Sequence, residues 1–258
     1  MERILSVQRE QRLAFGDAAI QLGLLTQADI DFALSRQFGY PYLLPGDSAI
    51  SQELIAAYAP FSPQAEGLRA LRSQLMLRWF DADPAHKALA IVSAERKEGR
   101  SFIAANLAVV CSQLGERTLL IDADMRNPCQ HRLFGLGNQA GLSAVLTGRG
   151  SREAIVRIES LLNVSVLPAG APPPNPSELL GRPLFRQLLR DLASEYDVIL
   201  LDSPAAGETP DALAISMYAG SALVVVRRNS ARVWRVRGVV DSAVQASTTL
   251  VGSLLNDY

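Results

Sequence analysis

The rhythm of apolar and polar positions changes near Lys87. Before it, the chain to about Leu44 has mixed helical periodicity and no convincing strand. "LLPGDSA" then carries turn chemistry at Pro45-Gly46-Asp47, and "SQELIAAYAPF" predicts a short helix stopped at Pro60. "SPQAEGLRALRSQLMLRWF", Ser62 to Phe80, predicts an amphipathic helix with Leu68, Leu71, Leu75 and Leu77 near one face. Pro63 suits its first turn.

After Lys87 short apolar runs alternate with helical stretches. "ALAIVS", "TLLIDAD", "VSVLPAG", "DVILLDS", "ALVVVRR" and "LVGSLLN" are continuous apolar runs, the form of parallel strands buried on both faces. Ser101–Leu114, Pro183–Glu195 and Thr209–Tyr218 are helix-like segments between them, and "AGAPPPNPSELLGRP" is a proline-rich loop entering a helix. Such alternation predicts an α/β fold with a doubly wound, mostly parallel sheet. We divide the chain into a small helical region, 1–58, and a larger α/β domain, 59–258.

Composition narrows the classes of function. A 48% hydrophobic and 20% charged chain of 258 residues has ample material for a core. Its 25 basic and 26 acidic residues leave a net charge of -1, which gives no general case for binding nucleic acid or anionic lipid. No apolar run has the length of a transmembrane helix, and the charged "MERILSVQREQR" is not a signal peptide. The expected location is cytoplasmic, with attachment to the inner membrane through a partner. Cys111 and Cys129 lack metal-ligand spacing and are expected to be structural thiols.

Three stretches converge on a phosphate site. "SAERKEGRS" follows the apolar run "LAIVS" and precedes the helix "SFIAANLAVVCSQLG". A strand, tight loop and helix bring backbone N–H groups and a positive helix end to one point. Lys97, Glu98, Gly99, Arg100, Ser101 and Phe102 would surround the phosphates, and the Ser101 hydroxyl is placed for magnesium. "TLLIDADMRNP" ends a strand in Asp122 and Asp124, and alternate strand residues face one side, so both carboxylates can enter one site. "YDVILLDSPA" ends in Asp202, in the form of a Walker B carboxylate. Strand-end acids opposite a phosphate loop match what Mg2+ requires, with Ser101, Asp122 and Asp202 as its ligands. This makes the sheet one of P-loop NTPase type.

These motifs resemble those of the bacterial tyrosine kinases (BY-kinases), and within them the EpsG-type chain-length-determinant kinases of exopolysaccharide operons. "SAERKEGRSFIAANLA" is similar to their Walker A, "LLIDADMRNP" to their second aspartate motif and "DVILLDSPA" to their Walker B. "GLSAVLTG", "LPAGAPPPNPSELL" and "VGSLLNDY" are similar too, so the likeness runs from about Phe61 to Tyr258. "EGLRALR" fits the family's ExxRxxR ring-assembly motif, which implies inter-subunit ion pairs from Glu66, Arg69 and Arg72. The resemblance implies ATP and magnesium at the loop, a tyrosine hydroxyl attacking the γ-phosphate, and a transmembrane polysaccharide co-polymerase as partner. It implies Arg100, Asp122, Asp124 and Asp202 as the catalytic set, without dividing metal binding from nucleophile orientation among the three aspartates.

Two positions depart from the pattern. Arg100 stands where the family has lysine; it is planar, longer and differently directed. Arg96-Lys97 stands where the family has Pro-Gly, which predicts strain at a backbone position requiring positive φ. The family's tail holds several tyrosines, whereas Tyr258 stands alone here as the implied phospho-acceptor; Tyr196 and Tyr218 are expected to pack. "AFGDAAIQLGLLTQADIDFALSRQ" resembles one copy of the repeat in the N-terminal (MshEN) domain of type II secretion ATPases, some of which bind cyclic di-GMP. "LSVQ" looks like the tail of a preceding copy, which predicts that the chain begins inside a longer domain. A plain helical docking module explains the same pattern. Three functions stay open: an autokinase, a nucleotide-dependent assembly switch that has lost phosphoryl transfer, and a ParA/MinD-like ATPase.

Overall fold

The computed structural model describes residues 1–38, 43, 44, 46 and 48–257. Of the predicted turn only Gly46 is described, with φ of 96°; Tyr258 lies outside the described residues. Three helices, α1 (Glu2–Gln11), α2 (Phe15–Gln21) and α3 (Gln27–Phe38), come first. Ile4, Ala18 and Ala19 form a small core of their own there.

Next come α4 (Ile55–Tyr58) and α5 (Pro63–Leu75), the latter capped by the Ser62 hydroxyl accepting from the Ala65 N–H. The amphipathic stretch does not run on as one α-helix to Phe80: Met76–Phe80 winds into a π-turn. Leu77 is 72% exposed rather than on the apolar face. Two residues past Leu75 is about 200° around the helix, so Leu77 points away from the stripe made by Leu68 and Leu75.

The remainder alternates as expected. It comprises β1 (Ala88–Val92), α6 (Arg100–Gln113), β2 (Thr118–Asp122), α7 (Gln130–Leu133), α8 (Leu142–Leu146), β3 (Val156–Arg157), β4 (Val164–Leu167), α9 (Pro176–Leu180), α10 (Pro183–Leu192), β5 (Val198–Asp202), α11 (Asp211–Ala219), β6 (Ser221–Arg227), α12 (Val233–Gln245) and β7 (Thr249–Asn256). The strands form one sheet in the order β3-β4-β2-β5-β1-β6-β7, parallel except for β3 against β4. The two-residue edge strand β3 and helix α12 are not singled out by the apolar pattern.

Strand periodicity sorts side chains onto two cores. Leu89, Ile91, Leu120, Leu200 and Leu223 face α4, α5 and α6, whereas Ala90, Val92, Leu119, Ile121 and Leu201 face the helices on the other side. Ile103 through Ser112 of α6 are buried, because the sheet covers one side and α4 and α5 the other. Residues 43–58, grouped by sequence with the N-terminal region, place Leu43, Ile50, Leu54, Ala56, Ala57 and Tyr58 in this same core. Asn106, fully buried on α6, holds them: its Oδ1 accepts from the Ala56 N–H at 3.0 Å and its Nδ2 donates to the Glu53 carbonyl at 3.0 Å.

Asn106→Ala would strand both backbone groups. It is expected to lower unfolding stability by about 2–4 kcal/mol. A urea denaturation midpoint unchanged from the parent would contradict the clamp.

Candidate active site

The site forms where β1, β5 and β2 end side by side. Ile91 of β1 is the register partner of Asp202, and Asp202 is the register partner of Asp122. Adjacent parallel strands lie about 4.8 Å apart, so the two carboxylates emerge together on the α6 face. Both residues are fully buried.

Asp122 Oδ2 accepts from the N–H groups of Cys129 (3.0 Å) and Gln130 (2.9 Å) at the start of α7. Asp202 Oδ2 accepts from Gln130 Nε2 at 2.7 Å, and the same Nε2 reaches the Ser101 carbonyl at 3.1 Å. The Ser101 hydroxyl also bonds Asp202. What remains is telling: Asp122 Oδ1 and Asp202 Oδ1 are buried with no hydrogen-bond partner. Burial raises the Asp202 pKa to about 6, with the Arg100 charge opposing. Burial and then the Asp202 charge push Asp122 well above the carboxylate range. Two unpaired acid oxygens beside a serine hydroxyl fit a hard divalent cation such as Mg2+.

Asp124 sits differently. β2 ends at Asp122, and beyond it the Asp124 Oδ1 accepts from the N–H groups of Arg126 (3.2 Å) and Asn127 (2.9 Å). It stays close enough for its charge to raise both neighbours' pKa values.

The phosphate loop joins β1 to α6. The N–H groups of Arg96 through Ser101 find no acceptor among the described residues, leaving an anion cradle at the N-terminus of a 14-residue helix. Gly99 has φ of 97°, and a Cβ there would come within 2.1 Å of Asn256 Nδ2. That amide donates to the Glu98 carbonyl at 3.0 Å, so the end of β7 braces the loop. Glu98 is buried and accepts from the Glu95 N–H at 2.8 Å. Lys97 takes φ of 62°, the positive value that its position calls for.

Arg100 is buried and turned inward. Its Nε donates to the Ser203 carbonyl at 2.9 Å, and its Nη1 to the Glu95 carbonyl at 2.8 Å and the Ser93 hydroxyl. It thereby ties the phosphate loop to the end of β5. Lys97 is exposed and has no ion-pair partner among the described residues. Phe102 packs partly buried against the large core, beside a cleft of about 450 Å³ between α5 and the end of β7.

Cys129, expected from sequence to be a structural thiol, borders the site. Cys111 is buried in α6, but Cys129 Sγ lies 3.9 Å from Asp202 Oδ2. Burial, then the Asp202 charge, pushes that thiol up to about 12. Sequence reasoning missed both Cys129 and Gln130, because their roles come from where α7 begins rather than from a local motif. Tyr218 packs edge-on against Phe185, with ring centroids 5.7 Å apart, and Tyr196 packs against the same core. Of the ring-motif residues, Glu66 is exposed and accepts from Arg69 at 2.7 Å, while Arg72 donates to the Val110 carbonyl of α6 at 2.8 Å.

No protein-family model matches the chain. Individual relatives do. It is 32% identical over 200 residues to the putative tyrosine-protein kinase CapB of Staphylococcus aureus, covering 76% of this chain and 86% of that one. It is also 32% identical over 209 residues to the tyrosine-protein kinase YwqD of Bacillus subtilis, covering 81% and 87%. The chain belongs to the bacterial tyrosine-protein kinase family. Some members are much longer: the match covers only 24% of the tyrosine-protein kinase wzc of Salmonella typhimurium. Among solved structures, the chimerical protein CapA2B2 superposes with a TM-score of 0.75 at 33% identity, over 88% of this chain and 99% of that one. The septum site-determining protein MinD of Pyrococcus horikoshii, complexed with Mg-ADP, superposes at 0.59 with 25% identity, over 67% and 70%. The bacterial kinase fold and the wider Mg-nucleotide fold are therefore shared.

The two buried acids make a pH prediction. Each has a folded-state pKa above its unfolded value, so the stability they allow is complete below about pH 4. It is lost as pH rises through about 6, where Asp202 ionises in the fold. Asp202→Asn is expected to raise the melting temperature by several degrees at pH 7.5 without metal and to abolish the added stabilisation by Mg-ATP. A variant that melts lower than the parent in EDTA would sink this account.

Proposed function

We propose that the protein is an ATP-dependent protein-tyrosine autokinase that regulates exopolysaccharide chain length, polymerisation and export beside a transmembrane co-polymerase. The observation that carries this reading is the pairing of an unfilled N–H cradle with two orphaned, buried carboxylate oxygens at one sheet edge. Support for tyrosine as the acceptor comes from the named kinases among its relatives.

The loop N–H groups hold the β- and γ-phosphates of ATP. Ser101, Asp122 and Asp202 hold Mg2+, which when bound neutralises phosphate charge. Asp124, at the outer end of the site, orients the acceptor hydroxyl. The tyrosine oxygen forms a bond to the γ-phosphorus as the bridging oxygen leaves on ADP, and the hydroxyl proton passes to the Asp124 carboxylate. The implied acceptor is Tyr258, outside the described residues. Glu66, Arg69 and Arg72 assemble a homo-oligomeric ring, for which exposed Glu66 is the available inter-subunit partner. Contact with the inner membrane runs at least through the co-polymerase; among the described residues no helix is long and apolar enough to cross it. At residues 1–38 we retain cyclic di-GMP as a candidate ligand beside a plain docking role; a calorimetric titration giving no heat would remove it.

One observation favours the second reading, a nucleotide-dependent assembly switch. Arg100 spends its Nε and Nη1 donors on Ser203, Glu95 and Ser93. It therefore braces the loop where a lysine would extend along the phosphates. The likeness to MinD leaves the third reading, a partitioning-type ATPase, with the fold as its support.

Autophosphorylation with Mg-ATP, with and without the cytoplasmic segment of the co-polymerase, separates these. Phosphotyrosine in the parent, lost in Tyr258→Phe, is the outcome expected of the kinase. A silent parent with a signal about tenfold or more higher in Arg100→Lys would select the switch. ATP hydrolysis with no phosphotyrosine in any variant would select the third reading.

A further inference from the structure

A basic segment stands apart from the site. From Arg227 to Arg237 the chain reads "RRNSARVWRVR", with five arginines, and no carboxylate occurs between Ser221 and Val240. The segment leaves the C-terminal end of β6, the edge of the sheet that carries the phosphate loop, and runs into α12. At its tip Val233 is 83% and Trp234 65% exposed. Two adjacent large apolar side chains in water forgo the burial free energy that drives folding. Beside them lies a cleft of about 290 Å³ lined by Val226, Ala231, Val233, Val236, Val240 and Arg237.

The arginines divide into two groups. Arg227 Nη1 donates to the Lys97 carbonyl at 3.1 Å and Arg235 lies 3.2 Å from Glu95, so these two face the phosphate loop. Arg232 and Arg237 are exposed and have no carboxylate partner among the described residues; Arg228 is exposed and pairs only with Asp257, itself at the surface. An apolar tip with tryptophan, ringed by outward arginines, has the composition of a membrane-interface anchor. Nucleic acid fits it less well, since one exposed aromatic side chain offers no stacking platform. An acidic peptide would leave Val233 and Trp234 uncovered.

We infer that the turn between β6 and α12 is a docking surface for an anionic lipid bilayer. Val233 and Trp234 enter the headgroup layer while Arg228, Arg232 and Arg237 meet lipid phosphates. Docking there turns the nucleotide edge toward the bilayer. The inference needs no kinase activity, and its readout contains no nucleotide.

The test is flotation of the full chain with vesicles of phosphatidylcholine, alone or mixed with phosphatidylglycerol, at low and high salt. Binding is expected only to the mixed vesicles, weakening with salt. Of the two tryptophans Trp79 is buried, so a blue shift on binding reports Trp234. Arg232→Gln with Arg237→Gln is expected to weaken binding on the order of 30-fold, and Trp234→Ser to remove the blue shift. All three positions are exposed, and unchanged melting temperatures would exclude unfolding as the cause. Equal affinity for both vesicle types, binding without a blue shift, or binding to an oligonucleotide or polyglutamate in preference to vesicles would each overturn the inference.

Discussion

Two carboxyl groups buried side by side set the terms for the rest of this molecule. Asp122 and Asp202 are register partners on neighbouring strands, and each keeps one oxygen without a donor. Burying a carboxylate without a partner is costly, so the surrounding protein satisfies only half of each group. Gln130, the Cys129 and Gln130 N–H groups and the Ser101 hydroxyl supply that half. On the proposed reading the other half would be the coordination left for a cation, and folding without one would store an unfavourable interaction that binding relieves. Metal affinity and fold stability are thus two readings of one geometry.

Much of this was legible in the chain. Continuous apolar runs predict strands buried on both faces; all six that were named are strands of the observed sheet, but β7 lies at the sheet edge and is mostly exposed or half-buried. A glycine-containing loop between such a strand and a helix leaves N–H groups unbonded wherever it occurs, so the cradle follows from local chemistry. Strand-ending aspartates read correctly for Asp122 and Asp202 for the same reason. Asp124 did not follow the alternation rule as a strand residue, since the strand had already ended and its carboxylate found two nearby N–H groups instead.

What was not legible depends on contacts between distant segments. Gln130 reaches Asp202 across 72 positions and Asn256 reaches Glu98 across 158, and no spacing rule joins them. The direction of Arg100 is similar: its identity was plain, but only the fold places three acceptors behind it. Whole-chain charge is limited in another way. A net charge of -1 is an average over the chain, and it says nothing of a segment with five arginines and no acid of its own, two of whose arginines pair with acids from elsewhere. Local charge is what a surface feels, because screening confines each group's reach to about 10 Å.

The phosphate loop shows how the two departures from the family pattern compensate. Lys97 holds a left-handed conformation that a side chain adopts at a cost of about 1 kcal/mol or more, and something must hold it there. Arg100 is one such restraint, since its guanidinium fixes the Glu95 carbonyl and the Ser93 hydroxyl on the strand side of the loop. Asn256 is the other, fixing the Glu98 carbonyl on the helix side. A lysine at position 100 has one compact ammonium where arginine has a fork, and could not bond Ser203 and Ser93 in the same spread geometry. Arg100 and Lys97 are therefore physically linked: the guanidinium holds the Glu95 carbonyl two residues before the left-handed Lys97.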